Sequence, residues 1–158
     1  TETENFIKKE VKENYLDPNN YYLGVSTQHI VLNYLDYLLW KRDKCDFTFR
    51  FQNNSVEHWY PQHPSQDMLP VWDEKEGDNF CRDYIGNICI ISREVNSKFS
   101  NLAPTSKQKN VNIINNGSLK LRIMAKETID DALWRVEGYK KHGRDMLKLL
   151  EANCQNIT

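Results

Sequence analysis

The sequence lacks the features that would carry the protein into or across a membrane. Its apolar runs all fall short of the roughly 20 residues that a membrane-spanning helix needs. The opening segment, T-E-T-E-N-F-I-K-K-E, contains no apolar core of a signal peptide. It also lacks a starting Met, so we expect the chain to be a fragment of a longer polypeptide.

Cysteine and glycine are sparse and scattered. No two of the four cysteines form a C-x-x-C knuckle, which argues against a zinc ribbon. We expect free thiols in a reducing cytoplasm, with Cys89 in the core. The six glycines form no phosphate-binding pattern, which argues against a Walker-type nucleotide site.

An overall excess of one charge is also missing, since the formal net charge is -1. The halves differ: residues 1–80 carry 8 basic and 14 acidic side chains, whereas residues 81–158 carry 13 and 8. A passive nucleic-acid binder usually shows a strong overall basic excess. A phosphate-facing surface would therefore be local and would come from the second half, although unevenly solvated faces explain the asymmetry equally well.

The length of 158 residues fits one domain with a sizeable core. Helical spacing of apolar residues predicts helices over residues 4–15 and 26–43, the second capped by Ser26 or Thr27. A final helix is predicted to begin at the capping pair Thr128 and Asp131. Its expected apolar face consists of Ile129, Leu133, Val136 and Tyr139, with a break at Gly143 and a helix-end histidine at His142.

Strand patterns occupy the middle of the chain. Alternation predicts strands over 47–51 and 56–60, and an apolar, β-branched run predicts a buried strand over 85–92. Ser92 is expected to cap a helix over 93–100. Residues 118–125 alternate well enough for a strand, although a helix also fits them.

The stretch 56–101 concentrates the side chains that could carry chemistry. Phosphodiester hydrolysis needs a base that deprotonates water, and His58 suits this task near neutral pH. It also needs stabilisation of the leaving oxygen, which a hard divalent cation on oxygen ligands such as Glu57 and Asn96 could give. Adjacent residues of a regular strand point to opposite faces, so Glu57 and His58 share a site only if the strand is distorted or the site wraps its edge.

Three motifs in this stretch resemble a known nuclease family. V-E-H-W-Y-P-Q, then G-N-I-C-I-I-S, then N-S-K-F-S-N-L-A-P-T-S-K, are similar to motifs of the HNH, or ββα-metal, nuclease superfamily. Within it, they most resemble the C-terminal nuclease domain of GmrSD-type, modification-dependent restriction endonucleases. The motifs extend from Val56 to about Lys107, roughly a third of the chain.

The resemblance implies roles for individual residues. His58 matches the general base, and Glu57 stands where HNH enzymes commonly have an aspartate metal ligand. Asn87 matches the middle asparagine, which braces the hairpin and orients the histidine. Asn96 takes the third motif position and would be the second metal ligand. The weaker candidates, for phosphate contact, are Lys98, Asn101 and Lys107.

The resemblance also implies a fold, a cofactor and partners. The expected fold is α+β: one domain over 1–158 with a ββα-metal hairpin-plus-helix core at 56–107, packed with flanking N- and C-terminal helices. The expected activity is metal-dependent cleavage of DNA, modified or not, in restriction and phage defence. Mg²⁺, Mn²⁺ or another divalent cation would be the cofactor, with no organic cofactor in this chain. A nucleotide-dependent N-terminal recognition module would be the missing partner.

Two alternatives stay open. The same fold could serve as a non-catalytic DNA- or protein-docking module with a degenerate site, which Glu57 in place of Asp and the near-neutral charge favour slightly. An RNase or nicking enzyme of the same chemistry is the other alternative. His63 could suggest a zinc pair with His58, but a loop histidine is the better interpretation. Trp59, Trp72 and Trp134 are expected to be core or loop anchors.

Overall fold

A computed structural model describes residues 1–50, 53–65, 80–155 and 157. Within this part the protein combines a two-stranded antiparallel sheet with helices. The strands are β1 (Asn54–His58) and β2 (Ile88–Ser92). The helices are α1 (Glu2–Asn14), α2 (His29–Asp43), α3 (Arg93–Phe99), α4 (Pro104–Gln108), α5 (Val111–Asn115), α6 (Leu119–Glu127), α7 (Asp131–Leu133) and α8 (Tyr139–Cys154).

The hairpin and the helix after it form where the sequence predicts them. β1 pairs with β2 in unbroken register, from Asn54 opposite Ser92 to His58 opposite Ile88. The Ser92 side chain accepts a hydrogen bond from the Val95 amide and so caps α3, as expected. β2 starts later than predicted because Ile85–Asn87 forms a 3-10 turn. The architecture is α+β, with a strand–strand–helix unit surrounded by helices.

Helices from both ends of the chain close over this unit. α1 contacts α2 and α8, and α2 also contacts α6, α8 and β2. Both predicted N-terminal helices are confirmed, although α2 begins at His29 after a 3-10 turn at Gly24–Ser26, and Gln28 occupies its N-cap. The fully buried side chains of the core include Val11, Leu35, Leu39, Trp59, Ile85, Ile88, Phe99, Leu121 and Leu150. Trp134 is buried too, so it and Trp59 are core anchors as expected, whereas Trp72 lies outside the described residues.

The predicted strand over 47–51 is wrong for residues 47–50, which are irregular, and residue 51 lies outside the described part. Alternation here reflects aromatic packing. The rings of Phe47 and Phe49 meet edge to face with centroids 4.6 Å apart. Phe49 also packs against Tyr37 and Trp40 of α2. The two aromatic residues therefore find tertiary partners without joining the sheet.

Of the two alternatives open for residues 118–125, the helix is correct, because Leu119–Glu127 forms α6. The Ser118 side chain caps α6 by accepting from the Leu121 amide at 3.1 Å. The Lys120 side chain is buried in this helix, and its Nζ donates to two main-chain carbonyls. A buried polar residue interrupts the apolar spacing of the helix, so this spacing did not distinguish a helix from a strand.

The final helix also departs from the prediction. Its N-cap is Asp130, whose side chain accepts from the Leu133 amide at 2.7 Å, and not Thr128. Trp134–Gly138 is a π-helical segment. Trp134 and Tyr139 are buried, whereas the remaining residues of the predicted apolar face, Ile129, Leu133 and Val136, are exposed.

α8 runs without a break through Gly143, contrary to expectation. A Cβ on Gly143 would lie 2.1 Å from the Tyr84 ring, so the glycine permits close packing and does not end the helix. His142 is not a helix-end residue either, because its side chain is fully buried within α8. Cys89 is buried, and all four cysteines are free thiols as expected. Every helix of the described part is too short or too polar to span a bilayer.

Candidate active site

His58 is the last residue of β1, and its imidazole is almost buried, with 4 % of the residue exposed. Its Nε2 lies 2.8 Å from Oδ1 of Asp83. Burial lowers the pKa of His58 because it penalises the imidazolium, and the Asp83 carboxylate opposes that shift. This shift favours the neutral imidazole, which is the form that a general base requires.

Backbone hydrogen bonds to residues near the N-terminus hold the segment that carries Asp83. The Gly24 amide donates to the Asp83 carbonyl at 3.0 Å, and the Ile85 amide donates to the Tyr21 carbonyl at 2.8 Å. Gly24 has a φ of 53°, and a Cβ there would lie 2.2 Å from Oδ1 of Asp83. Only glycine fits both this backbone conformation and this close approach. The sequence interpretation missed Asp83, since nothing local indicates that it meets a residue 25 positions away.

Asn87 uses its whole carboxamide to hold the chain that follows His58. Its Oδ1 accepts from the Tyr60 amide at 2.9 Å and from Nε1 of Trp134 at 2.9 Å. Its Nδ2 donates to the carbonyls of Tyr60 at 3.0 Å and Arg82 at 2.9 Å. Asn87 is fully buried, and its hydrogen bonds join the residues after β1, the segment before β2 and the start of the final helical region.

Glu57 and Lys107 form a buried ion pair on the helical side of β1. The Lys107 Nζ donates to Oε1 of Glu57 at 2.5 Å. It also donates to the carbonyls of His58 at 2.6 Å and Trp59 at 3.0 Å, which completes its three donors. Burial raises the pKa of Glu57 and lowers the pKa of Lys107, and in each case the partner's charge opposes the shift.

A second buried ammonium holds the other strand. The Lys120 Nζ donates to the carbonyls of Ile85 at 2.8 Å and Ile88 at 2.5 Å, on either side of Asn87. Burial lowers the pKa of Lys120 to about 8. Lys107 and Lys120 therefore fix the backbone around His58 and Asn87 from α4 and α6.

The regular register of β1 separates the side chains of Glu57 and His58. Successive side chains of a strand point to opposite faces, and here Glu57 meets Lys107 while His58 meets Asp83. The structure thus does not bring the predicted base and its neighbouring carboxylate together. His58 is followed in the chain by the segment at Tyr60, which Asn87 holds through two hydrogen bonds.

The other predicted residues lie on or near α3 and α4. Asn96 is half-buried on α3, and its carbonyl accepts from the Ser100 amide. Lys98 is exposed and pairs with Glu94 at 3.3 Å, and Asn101 is exposed just beyond the helix. Lys107 is predicted to contact phosphate, but its ammonium is buried against Glu57 and does not fit that role.

Lys107 occupies the place where a cation would bind Glu57, one of the predicted magnesium ligands. A divalent cation at Oε1 of Glu57 would meet the Lys107 ammonium, which already lies 2.5 Å from that oxygen. The described residues also contain no cluster of three His, Cys, Asp or Glu side chains that could hold a metal. Glu57 therefore does not fit a metal ligand while its pair with Lys107 is intact. His63 is exposed in the loop after β1, in agreement with a loop histidine.

Comparison with known proteins identifies the family. Searches of curated proteins and of solved structures found no match. A family model described as "GmrSD restriction endonucleases, C-terminal domain" matches residues 2–149, almost the whole chain. The match includes the flanking helices as well as the strand–strand–helix unit with His58 and Asn87. The chain therefore belongs to the family of C-terminal domains of GmrSD restriction endonucleases.

Proposed function

We propose that this protein is a DNA endonuclease domain of the HNH type that hydrolyses phosphodiester bonds in restriction and phage defence. Family membership supports the nuclease class. The observation that carries the assignment to this site is the His58 imidazole, held by a carboxylate at the end of β1, with Asn87 bracing the following residues. This is the arrangement that a fixed, neutral base requires.

In the proposed reaction His58 takes a proton from a water molecule as the water oxygen attacks phosphorus. The phosphorus–oxygen bond to the leaving 3′-oxygen breaks, and that oxygen leaves with the bonding electrons. Asn87 has no proton to give or take here, since all its hydrogen-bonding groups are engaged by Tyr60, Arg82 and Trp134. Its part is to fix the loop beside the base.

The proposal includes a requirement for Mg²⁺ or Mn²⁺, which rests on the HNH resemblance. Glu57 is not assigned as its ligand in the conformation described, because Lys107 occupies Oε1. The amide oxygen of Asn96, a half-buried residue of α3, remains a candidate ligand.

DNA contact is proposed for the exposed surface at the end of α3. Lys98 is 58 % exposed at its side chain, and Asn101 is exposed three residues later. Lysine contacts with phosphate release counterions, so the affinity for DNA should fall steeply as salt rises. Recognition of sequence or base modification is assigned to a separate nucleotide-dependent module.

A docking module without catalysis is the second candidate, and one observation favours it. The buried ammonium of Lys107 lies where a catalytic cation would need to approach Glu57. Such a module would bind DNA or a protein partner and leave phosphodiester bonds intact.

Cleavage of supercoiled plasmid DNA distinguishes the two candidates. The assay compares the wild type, His58→Ala and the matched control His63→Ala, whose histidine is exposed in a loop. Each is tested with Mg²⁺, with Mn²⁺ and with a chelator, on unmodified and base-modified DNA. We expect metal-dependent nicking or linearisation that His63→Ala retains and His58→Ala loses by at least about 100-fold.

Equal cleavage by His58→Ala would remove His58 as the base. A wild type that binds DNA without cutting it in any arm would support the docking module.

A further inference from the structure

The contact between His58 and Asp83 determines which ring nitrogen of His58 carries the proton. A carboxylate only accepts hydrogen bonds, and a neutral imidazole carries one N–H. The 2.8 Å separation between Nε2 and Oδ1 therefore places that proton on Nε2. The other ring nitrogen, Nδ1, is left with a free lone pair. Among the described residues, the contact with Asp83 is the one hydrogen bond that the ring makes.

The surrounding backbone keeps the Asp83 carboxylate in this place. Its own carbonyl is held by the Gly24 amide, and the neighbouring Ile85 amide is held by the Tyr21 carbonyl. The Cα of Gly24 lies so close that a Cβ there would overlap Oδ1 of Asp83. The carboxylate is thus confined between the 3-10 turn before α2 and the end of β1, although its side chain is 46 % exposed.

We propose that Asp83 is a positioning residue for His58: it fixes the Nε2–H tautomer, so that Nδ1 is the atom that accepts the proton from the attacking water. This inference rests on the proposed function for its catalytic part. In the step, the water proton moves to Nδ1, the water oxygen bonds to phosphorus, and the 3′-oxygen leaves. Asp83 neither gives nor takes a proton.

Nitrogen NMR of the full chain with ¹⁵N-labelled histidine tests the positioning directly and needs no cleavage. At about pH 8 an imidazole is neutral, and its two nitrogens report which of them carries the proton. We expect the His58 signal, assigned by its loss in His58→Ala, to show the Nε2–H tautomer. Asp83→Ala should give a mixture of tautomers, whereas Asp83→Asn, whose amide oxygen can still accept from Nε2, should keep the wild-type tautomer.

Cleavage kinetics supply the second readout. Asp83→Ala should lower kcat roughly 10- to 100-fold with little change in KM, as loss of a partner that orients a histidine typically does. Asp83→Asn should recover most of the rate. Asp43→Ala is the matched control, since Asp43 is an aspartate of similar exposure paired with Arg42 at the end of α2, and it should behave as wild type. Gly24→Ala, which pushes a methyl group against Oδ1, should resemble Asp83→Ala.

A wild-type His58 with its proton on Nδ1, or an Asp83→Ala variant that keeps both the tautomer and kcat, would overturn the inference. A different result is expected if the proposed function is wrong. In that case the wild type does not cleave DNA, and the NMR measurement alone decides whether Asp83 sets the tautomer.

Discussion

Lys107 is the residue whose position differs most from its expected role. It is predicted to contact phosphate, but it satisfies Glu57 and two main-chain carbonyls in the interior. Its ammonium thereby holds the backbone at His58 and Trp59. Lys107 therefore contributes to the candidate site indirectly, by holding the backbone of the strand that carries His58.

Removal of the Lys107 ammonium should be strongly destabilising. Lys107→Met leaves the Glu57 carboxylate buried without its partner, and breaking a buried pair in this way costs about 3–5 kcal/mol of unfolding free energy. The double variant Glu57→Gln with Lys107→Met should recover part of that loss because it removes the unpaired charge. Urea denaturation followed by tryptophan fluorescence measures both values.

Lys98→Met is the control for this experiment. It breaks the exposed pair with Glu94, so a change of less than about 1 kcal/mol is expected. A Lys107→Met protein as stable as Lys98→Met would show that the buried pair is not formed in solution.

At the scale of elements, Asn87 joins the two strands to the final helical region. Asn87→Ala leaves the hydrogen-bonding partners at Tyr60, Arg82 and Trp134 unsatisfied, and should cost at least about 2 kcal/mol of unfolding free energy. Asn87→Asp should cost as much, because a carboxylate cannot donate to the Tyr60 and Arg82 carbonyls. The same denaturation measurement checks both.

Asn116→Ala serves as the comparison for Asn87, since its exposed amide donates to the Asn112 carbonyl within one helix end. It should change the unfolding free energy by no more than about 0.5 kcal/mol. If Asn87→Asp is as stable as wild type, the two donations from Nδ2 are not made.

Local signals were sufficient for several elements and misleading for others. The Ser92 cap, the apolar run of β2 and the helical spacing of α1 and α2 all act within a few residues, and the sequence shows them. The sequence left strand and helix both open over α6, because Lys120 is buried against carbonyls 32 and 35 residues away that no local pattern shows. The contact between Lys107 and Glu57 spans 50 residues, and no local pattern encodes it.

Over the whole molecule, buried titratable groups tie stability to pH. Burial lowers the pKa of His142 to about 4, although Glu127 at 3.2 Å from its Nδ1 opposes that shift. The unfolded chain binds this proton near the ordinary value of about 6.5, so between these values the unfolded state carries more protons than the folded state. The His142 contribution to stability is therefore complete above about pH 6.5 and is lost as pH falls towards 4.

Asp36 titrates in the opposite sense. Burial raises the pKa of Asp36 to about 7, so its contribution to stability is present at low pH and is lost as pH rises towards that value.

Because Asp36 is present in both proteins, the His142 effect is measured as the difference in unfolding free energy between His142→Phe and wild type. This difference should move in favour of the variant by about 2 kcal/mol between roughly pH 8 and pH 5.

Denaturation at the two pH values, with His63→Asn as the exposed control, measures this difference. The control should follow wild type at both pH values. A difference between His142→Phe and wild type that does not depend on pH would mean that His142 is protonated equally in the folded and unfolded states.

The proposed role of His58 as the base is tested by chemical rescue with imidazole. Plasmid cleavage by His58→Ala is measured with increasing imidazole, beside wild type and His63→Ala. We expect negligible cleavage by His58→Ala alone, and a saturable recovery that follows the concentration of neutral imidazole. Undiminished cleavage by His58→Ala, or equal stimulation of all three proteins by imidazole, would contradict it.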